Sequence, residues 1–242
     1  MRGRNKEIFQ RIEAILDQDQ GVDAAGVNET LGLLGGNPLD PGMLKDLMIY
    51  SETLPKAQER PYTEHERFLH FLWDAFDKLP ACLCVTLAIP LRRLFAERLF
   101  GKCGKGVIIE ENLRFNFPAF IELGQGVFFN RNVFLDSKGG IEIGDFVGIA
   151  EDVRIFSHGH SEAEHLERSY HKVTIGAYAK IYSGVTILPG VTMGEASIAA
   201  SGAMITKDVE PGMVAAGVPA KVVRERKSEG RQGDDLGHIW LF

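Results

Sequence analysis

The strongest constraint on this chain is a hydrophobic residue that recurs every six positions over its second half. The most regular stretch has an aliphatic or small residue at every sixth position from Ile175 to Ile205. An α-helix needs apolar residues about 3.6 positions apart and a strand about two apart, so neither element explains a period of six. Hexads are typical of a parallel β-helix, in which short strands wind into coils and each coil covers the next. The sequence therefore predicts a solenoid of short parallel strands.

The same period extends upstream in blocks of three hexads, and a recurring junction separates the blocks. The junctions are Ile121-Glu122-Leu123-Gly124, Ile141-Glu142-Ile143-Gly144 and Val173-Thr174-Ile175-Gly176. Coils are therefore predicted at 103–120, 123–140, 143–160, 175–192 and 193–210, with a closing tail near 211–224. Five coils stacked about 4.8 Å apart give a prism roughly 20–25 Å tall.

The composition indicates which kinds of molecule the protein binds and in which cellular compartment it is located. The chain has 242 residues and a formal net charge of −6, which argues against a nucleic-acid-binding surface. Its three cysteines are an odd number without zinc-finger spacing, as expected of thiols in a reducing compartment. The first twenty residues lack the apolar core of a signal peptide, and the longest apolar run, 79–91, is too short to span a bilayer. We therefore expect a cytoplasmic protein.

The first hundred residues lack hexads and contain helical patterns instead. A helix is predicted over 4–18 and a second helical piece over 43–50, while the glycine-rich stretch 21–42 favours a linker or loose turns. The predicted division is a helical and loop extension at 1–60, a helical region at 61–102, the β-helix at 103–224 and a tail at 225–242.

The clearest helix start in this region is a capping box formed by Thr63 and Glu66. A later helix, kinked or restarted at Pro90, carries three basic residues opposite its apolar face: Arg92, Arg93 and Arg98. Such a helix can lie on a membrane surface. The open end of a β-helix needs covering, however, so we expect the helices of 61–102 to pack on the first coil.

The hexads are interrupted between His160 and Val173 by a polar insertion. Four of the seven histidines fall within the fourteen residues from His158 to His171. Sites are commonly built on loops held by a rigid scaffold. Three polar residues of the coil below are expected along the approach to the pair of His158 and His160: Asn130, Asn132 and Asp136.

These features together resemble the hexapeptide-repeat O-acetyltransferases of the maltose and galactoside acetyltransferase type. Besides the hexads and the His160 loop, the motifs are Asn130-Arg131-Asn132, the stretch 185–194, Thr206-Lys207-Asp208-Val209 and the stretch 216–223. The resemblance covers about 101–224. It implies a left-handed parallel β-helix, a homotrimer, and acetyl-CoA bound in the groove between neighbouring prisms.

The resemblance also implies roles for single residues. The family's catalytic base falls on His160, and the asparagine beside its active site falls on Asn132. A neutral histidine can take the proton of a hydroxyl that attacks the thioester, an amide can stabilise the oxyanion, and no covalent enzyme intermediate is needed. Asp136 and Asn130 are candidates for binding the acceptor. His158 lies beside the substrate in this interpretation and is the alternative base.

Positions that match the family's acetyl-CoA contacts are Ser183, Ser201, Gly202, Thr206, Lys207, Lys221 and Arg224. The first three are small turn residues that let the pantetheine arm of acetyl-CoA lie close to the backbone. The other four can bind the phosphates of acetyl-CoA through a hydroxyl or a positive charge. Alternatively, the basic residues near the C-terminus form only a solvated end. Where the family has a tryptophan in one turn of the prism, this chain has Lys180.

The predicted function is transfer of an acetyl group from acetyl-CoA to a hydroxyl of a sugar or saccharide precursor, with no metal. Two alternatives of other classes stay open. A non-catalytic β-helix scaffold would share the prism and would not bind acetyl-CoA. A hydratase resembling the γ-class carbonic anhydrases needs three histidine ligands spread over neighbouring coils, and no histidine occurs between His171 and His238.

Overall fold

The computed structural model describes residues 1–19 and 21–236. The chain divides into two units, the first over Met1–Leu99 and the second beginning at Phe100. The part of the predicted tail from 237 onward lies outside the described residues. Within the described ranges, no helix is both long and apolar enough to cross a membrane. The predicted division at residue 60, and the packing of 61–102 on the prism, stay predictions.

Helices make up the first unit. They are α1 (Gly3–Leu16), α2 (Ala24–Leu33), α3 (Pro41–Lys45), α4 (Lys56–Glu59), α5 (Glu64–Phe76) and α6 (Val85–Leu99), with 3₁₀ turns at Tyr50–Thr53 and Pro80–Leu83. The helix predicted over 4–18 is confirmed by α1, whose inner face buries Ile12 and Ile15. The helical piece predicted over 43–50 is α3 followed, after a gap, by the first 3₁₀ turn.

The start of α5 is the predicted capping box. The Thr63 hydroxyl accepts the backbone N–H of Glu66 at 3.2 Å, and the Glu66 carboxylate accepts the backbone N–H of Thr63 at 2.9 Å. Two N–H groups that a helix start leaves unpaired are thereby satisfied. The apolar face of this helix is buried and contains Phe68, Leu69, Leu72, Trp73 and Phe76.

The prediction of a linker over 21–42 is wrong, because α2 lies within it. Asp23 caps this helix by accepting the backbone N–H of Gly26 at 2.8 Å. A Cβ atom at Gly26 would lie 2.8 Å from the Ile15 side chain, closer than real Cβ contacts come. This glycine therefore allows α2 to approach α1 closely, and its presence does not mark a flexible chain.

The prediction that Arg92 faces outward on the last helix is also wrong. Helix α6 continues through Pro90, and the Arg92 side chain is buried with its Nη2 atom 2.6 Å from Asp77 Oδ1. Both partners are almost fully buried, so each charge depends on the other. The surface of α6 consequently lacks one of the three charges expected of a membrane-surface helix.

The second unit is a parallel β-helix whose strands form three sheets. Sheet A contains β1 (Lys102–Cys103), β4 (Ile121–Leu123), β7 (Ile141–Ile143), β12 (Val173–Ile175) and β15 (Thr192–Met193). Sheet B contains β2 (Ile108–Ile109), β5 (Phe128–Phe129), β8 (Gly148–Ile149), β13 (Lys180–Ile181), β16 (Ile198–Ala199), β18 (Met213–Gly217) and β19 (Ala220–Glu225). Sheet C contains β3 (Arg114–Phe115), β6 (Phe134–Asp136), β9 (Arg154–Phe156), β14 (Thr186–Ile187) and β17 (Met204–Ile205).

The strand register agrees with the predicted coils. Equivalent strands of the first three coils pair in parallel 20 residues apart, as Ile121 does with Ile141. In the last coils the offset is 18 residues, as between Ile175 and Met193. From Ile109 onward the first residue of each hexad points into the prism and is buried, which gives sheet B an inner row of Ile109, Phe129, Ile149, Ile181 and Ala199.

Every coil turns the corner between sheets B and C with a residue in the left-handed conformation. The residues of this B–C corner are Asn112, Asn132, Asp152, Gly184 and Gly202, with φ between 59° and 71°. Glycine, asparagine and aspartate tolerate this conformation better than other residues. The identity of Asn132 therefore has a structural reason in addition to the predicted catalytic one.

The predicted insertion forms a hairpin at the corner between sheets C and A. Strand β10 (His158–His160) pairs antiparallel with β11 (Arg168–Tyr170). The buried Ser157 ties the hairpin to the coil below, because its hydroxyl donates to the Asp136 carbonyl at 2.5 Å and accepts the Gly139 N–H at 2.8 Å. The hairpin is thereby fixed at its base.

We expect Ser197→Ala to stabilise the prism. The Ser197 hydroxyl is fully buried and has no hydrogen-bond partner among the described residues. An unpaired buried hydroxyl costs roughly 1–3 kcal/mol, so its removal is expected to raise the unfolding temperature by about 2–4 °C per kcal/mol. The matched control is Ser137→Ala, because the equally buried Ser137 hydroxyl donates to the Phe117 carbonyl at 2.9 Å. This control should lower the unfolding temperature, and a fall for both variants in calorimetry would contradict the prediction.

Candidate functional site

His160 lies at the exposed end of β10, with one ring nitrogen engaged and the other available. Its Nδ1 atom is 2.8 Å from the backbone carbonyl of His165. A carbonyl only accepts, so the ring proton of neutral His160 is on Nδ1 and Nε2 carries the lone pair. The His165 ring stacks on the His160 ring with centroids 4.2 Å apart and planes 2° from parallel. This arrangement gives a fixed imidazole whose Nε2 can accept a proton.

His158, the alternative base, has both ring nitrogens engaged. Nδ1 lies 2.5 Å from Asp136 Oδ2, and the Lys138 ammonium lies 3.2 Å from Nε2 and 3.3 Å from Nδ1. Burial lowers the pKa of His158 below its ordinary value; the Asp136 carboxylate opposes this shift and the Lys138 ammonium adds to it. A neutral ring that donates at Nδ1 and accepts at Nε2 has no lone pair left for a substrate proton.

Asp136 is almost fully buried, and residues of its own chain occupy its carboxylate. Oδ1 accepts the Asn116 side-chain amide at 3.1 Å, and the Lys138 ammonium lies 2.9 Å from the same oxygen. Oδ2 faces His158. The predicted acceptor-binding residue is therefore joined to His158, and its oxygens are not presented to solvent.

Asn132 and Asn130 lie at the other end of sheet C from the histidines. Asn132 precedes β6 at the B–C corner, whereas Asp136 ends β6 beside His158. Four residues of extended chain span about 13 Å. The expectation that both asparagines line the approach to His158 and His160 is therefore wrong within one chain.

The amide of Asn132 has a defined orientation. Its Oδ1 atom accepts the Asn112 amide at 2.8 Å, which leaves the Nδ2 group as the end that can donate elsewhere. Asn130 Oδ1 accepts the N–H of Arg131 at 2.9 Å and so shapes the same turn.

The residues predicted to contact acetyl-CoA lie at two corners of the prism and on strand β19. Gly202 donates its N–H to the Ser183 carbonyl at 2.9 Å, and Gly184 donates to the Glu151 carbonyl at 2.9 Å, so Ser183, Ser201 and Gly202 continue the B–C column above Asn132. Thr206 and Lys207 follow β17 at the corner between sheets C and A, on the side of the histidine hairpin. Lys221 and Arg224 are exposed on β19, which runs antiparallel to β18.

Lys180, where the family resemblance implies a tryptophan, has its ammonium away from the B–C corner. It donates to the Phe146 carbonyl at 3.3 Å, at the corner between sheets A and B. Burial lowers the pKa of Lys180, and the nearby Arg226 guanidinium adds to this effect. The exposed Tyr182 is the aromatic residue of this segment beside Ser183.

Sequence reasoning missed Lys138. The signal was present, because adjacent coils are offset by 20 residues and residue 138 therefore lies beneath residue 158. A lysine two positions after Asp136 also reaches the same carboxylate. Among the residues that the structure describes, no group of three or more histidine, cysteine, aspartate or glutamate side chains could hold a metal ion.

Comparison with known proteins identifies relatives of the same kind. The chain is 33% identical over 138 residues to the galactoside O-acetyltransferase of Escherichia coli K12, which covers 55% of this chain and 68% of that enzyme. A galactoside acetyltransferase solved in complex with coenzyme A has a TM-score of 0.61 at 26% identity, over 80% of this chain and 94% of that one. A hexapeptide-repeat acetyltransferase of Vibrio cholerae, solved with acetyl-CoA, has a TM-score of 0.55 at 28% identity, over 57% and 77% of the two chains. No protein-family model matches the chain.

Fold and relatives define a class of enzyme, the acyltransferases built on a left-handed parallel β-helix. The chain belongs to the hexapeptide-repeat acetyltransferase family. The resemblance predicted from its motifs is thereby confirmed, as are the predicted fold class and the assignment as an acyltransferase.

Proposed function

We propose that the protein transfers an acetyl group from acetyl-CoA to a hydroxyl of a sugar or saccharide precursor. The observation that carries this proposal is the geometry of His160, whose Nδ1 is held by the His165 carbonyl and whose Nε2 is left to accept a proton. The coenzyme A and acetyl-CoA complexes of related structures support acetyl-CoA as the donor. The names of the galactoside acetyltransferases support a sugar acceptor.

In the proposed reaction, His160 acts as general base. Its Nε2 takes the proton of the acceptor hydroxyl while that oxygen forms a bond to the thioester carbonyl carbon. The Asn132 Nδ2 group donates to the carbonyl oxygen as it gains negative charge. When the tetrahedral intermediate collapses, the carbon–sulfur bond breaks and His160 returns the proton to the leaving thiolate. The products are the acetyl ester and coenzyme A, and no acyl-enzyme forms.

This reaction needs His160 and Asn132 in one site, and one chain holds them at opposite ends of sheet C. A homotrimer resolves this separation if the corner with His160 faces the B–C corner of a neighbouring copy across a groove. The same groove then brings Lys207 from the histidine side together with Ser183 and Ser201 from the other side. We therefore propose a homotrimer with three intersubunit sites. The cytoplasmic location stays a prediction.

The proposed function is tested by thiol release from acetyl-CoA in the presence of a panel of sugars and sugar nucleotides. We expect release that depends on the acceptor, with an acetylated sugar as product in mass spectrometry. A sample without acceptor measures hydrolysis. Binding of acetyl-CoA without transfer to any sugar would contradict the sugar acceptor, and absence of binding would favour the non-catalytic scaffold. The hydratase alternative requires stoichiometric zinc, which elemental analysis measures.

Lys207→Ala and Arg224→Ala are each expected to raise the KM for acetyl-CoA. Both side chains are exposed and basic. Charge-assisted contacts to phosphate are worth about 1.5–3 kcal/mol each, and 1.4 kcal/mol corresponds to a tenfold change, so a ten- to hundredfold rise is expected. Lys105→Ala, at an exposed lysine of the first coil, is the matched control and should leave KM unchanged.

The effect of these variants should shrink with dephospho-CoA derivatives, because a contact to an absent phosphate cannot be lost. Steady-state kinetics with both donors measures the difference. If the variants instead raise only the KM for the acceptor, the basic end faces the acceptor and the assignment of these residues to the donor is wrong.

A further inference from the structure

A buried ion pair lies directly beneath His158, the neighbour of the candidate base. The Lys138 ammonium is 2.9 Å from Asp136 Oδ1, 3.0 Å from Asp136 Oδ2 and 3.2 Å from His158 Nε2. The same ammonium also lies 3.3 Å from His158 Nδ1. An ammonium group has three protons, and the acceptors it can reach here are the two Asp136 oxygens and the His158 ring. The Lys138 side chain is only 11% exposed, so it is not presented to a substrate.

The contacts fix the protonation state of His158. The Asp136 carboxylate only accepts, so it requires the proton on Nδ1. The Lys138 ammonium lies almost equally close to both ring nitrogens and only donates, so with Nδ1 protonated its acceptor on the ring is the Nε2 lone pair. The charges of Asp136 and Lys138 cancel. A second positive charge on His158 would face the ammonium at hydrogen-bond distance without an acceptor between them, which opposes protonation of the ring.

His158 is also in contact with His160. The two rings meet edge to face with centroids 5.2 Å apart, and both belong to β10. In the proposed reaction His160 becomes an imidazolium. A positive charge on His158 would therefore act on the transition state at short range, whereas a neutral ring supports His160 without repelling it.

We propose that Lys138 and His158 are positioning residues for His160: Lys138 holds His158 as the neutral Nδ1–H tautomer, so that His160 alone gains charge during turnover. This inference rests on the proposed role of His160 as base. The titratable groups that face His158 are Asp136 and Lys138 from β6 and the turn after it, His160 from its own strand, and Tyr170 directly across on β11.

The inference is tested first by titration of the histidine ring signals by nuclear magnetic resonance in the full-length protein. Lys138→Met and Lys138→Gln both remove the charge, and the glutamine can still donate to Asp136. In each variant the pKa of His158 should rise by about one pH unit or more, because the ammonium no longer opposes the carboxylate. Lys138→Arg keeps the charge and should keep the wild-type titration. Lys172→Met is the matched control, because it removes an ammonium from the exposed pair with Glu142.

Turnover supplies the second measurement. At pH 7 both uncharged variants should have a kcat about two- to fourfold lower, with the KM for acetyl-CoA unchanged, because a like charge now faces the forming imidazolium in the protonated fraction. The acidic limb of their kcat–pH profile should move to higher pH, since His158 must first lose its proton. A purely structural role of Lys138 would lower kcat at every pH without moving this limb.

An unchanged His158 titration in both uncharged variants would overturn the inference, as would a loss of kcat that is the same at every pH. These outcomes differ from failure of the proposed function. If the wild-type protein transfers no acetyl group to any acceptor, the role of His160 as base is wrong, while the titration still decides whether Lys138 controls the charge of His158.

Discussion

Replacing His160 by alanine is expected to lower acetyl transfer by about a hundredfold or more, the range typical of general acid–base catalysis. The His165 carbonyl fixes the His160 proton on Nδ1, and among the described residues no partner takes its Nε2 atom. Both ring nitrogens of His158 are engaged by Asp136 and Lys138. Alanine cannot accept the hydroxyl proton. Binding of acetyl-CoA should change little, since the predicted donor contacts lie on other residues. Steady-state kinetics and calorimetric titration measure the two quantities.

The matched control for this variant is His171→Ala. His171 is an exposed histidine of the same insertion, and its backbone N–H donates to the Ser157 carbonyl at 2.8 Å, a bond that alanine keeps. Its replacement should leave turnover near the wild-type value. Wild-type activity of His160→Ala together with an inactive His158→Ala would assign the base to His158 and contradict the proposed role of His160.

The coil structure could be predicted from the sequence because a six-residue period determines two things at once. It sets the length of each side of the prism, and it stacks equivalent residues of successive coils, as Ile121 stacks on Ile141. The helical unit has no such repeat. Helix α2 escaped prediction because the stretch 21–42 is rich in glycine, whereas the small size of Gly26 lets the Ile15 side chain of α1 pack closely against the backbone of α2.

The candidate site could be predicted in part. His160 stands out because it ends the last hexad before the insertion, and within the described part of the chain its Nε2 atom has no partner. Counting hexads predicts which residues of neighbouring coils stack on Asn132 and on Asp136. It does not show that strand β6, one side of the prism, separates Asn132 from Asp136. Lys138 escaped notice because its contact with His158 joins two neighbouring coils, 20 positions apart in the sequence.

The second large effect on turnover is expected from a change at Asn132, which lies at the opposite end of sheet C from His160. Asn132→Asp keeps the size of the side chain and tolerates the left-handed backbone, with φ of 59°, but it removes the amide donor. Loss of one donor to an oxyanion lowers turnover by about a hundred- to a thousandfold. The variant should still assemble as a trimer of about 80 kDa in sedimentation, three times the chain mass of 26.7 kDa.

The most direct test of an intersubunit site is complementation between these two inactive variants. His160→Ala and Asn132→Asp chains are produced together with different affinity tags, and trimers that carry both tags are purified. In each mixed trimer, one of the three grooves joins an intact His160 to an intact Asn132, so we predict about a third of wild-type turnover. Trimers of either variant alone serve as controls. If mixed trimers have no more activity than these controls, the two residues do not meet between copies, and the proposed site is wrong.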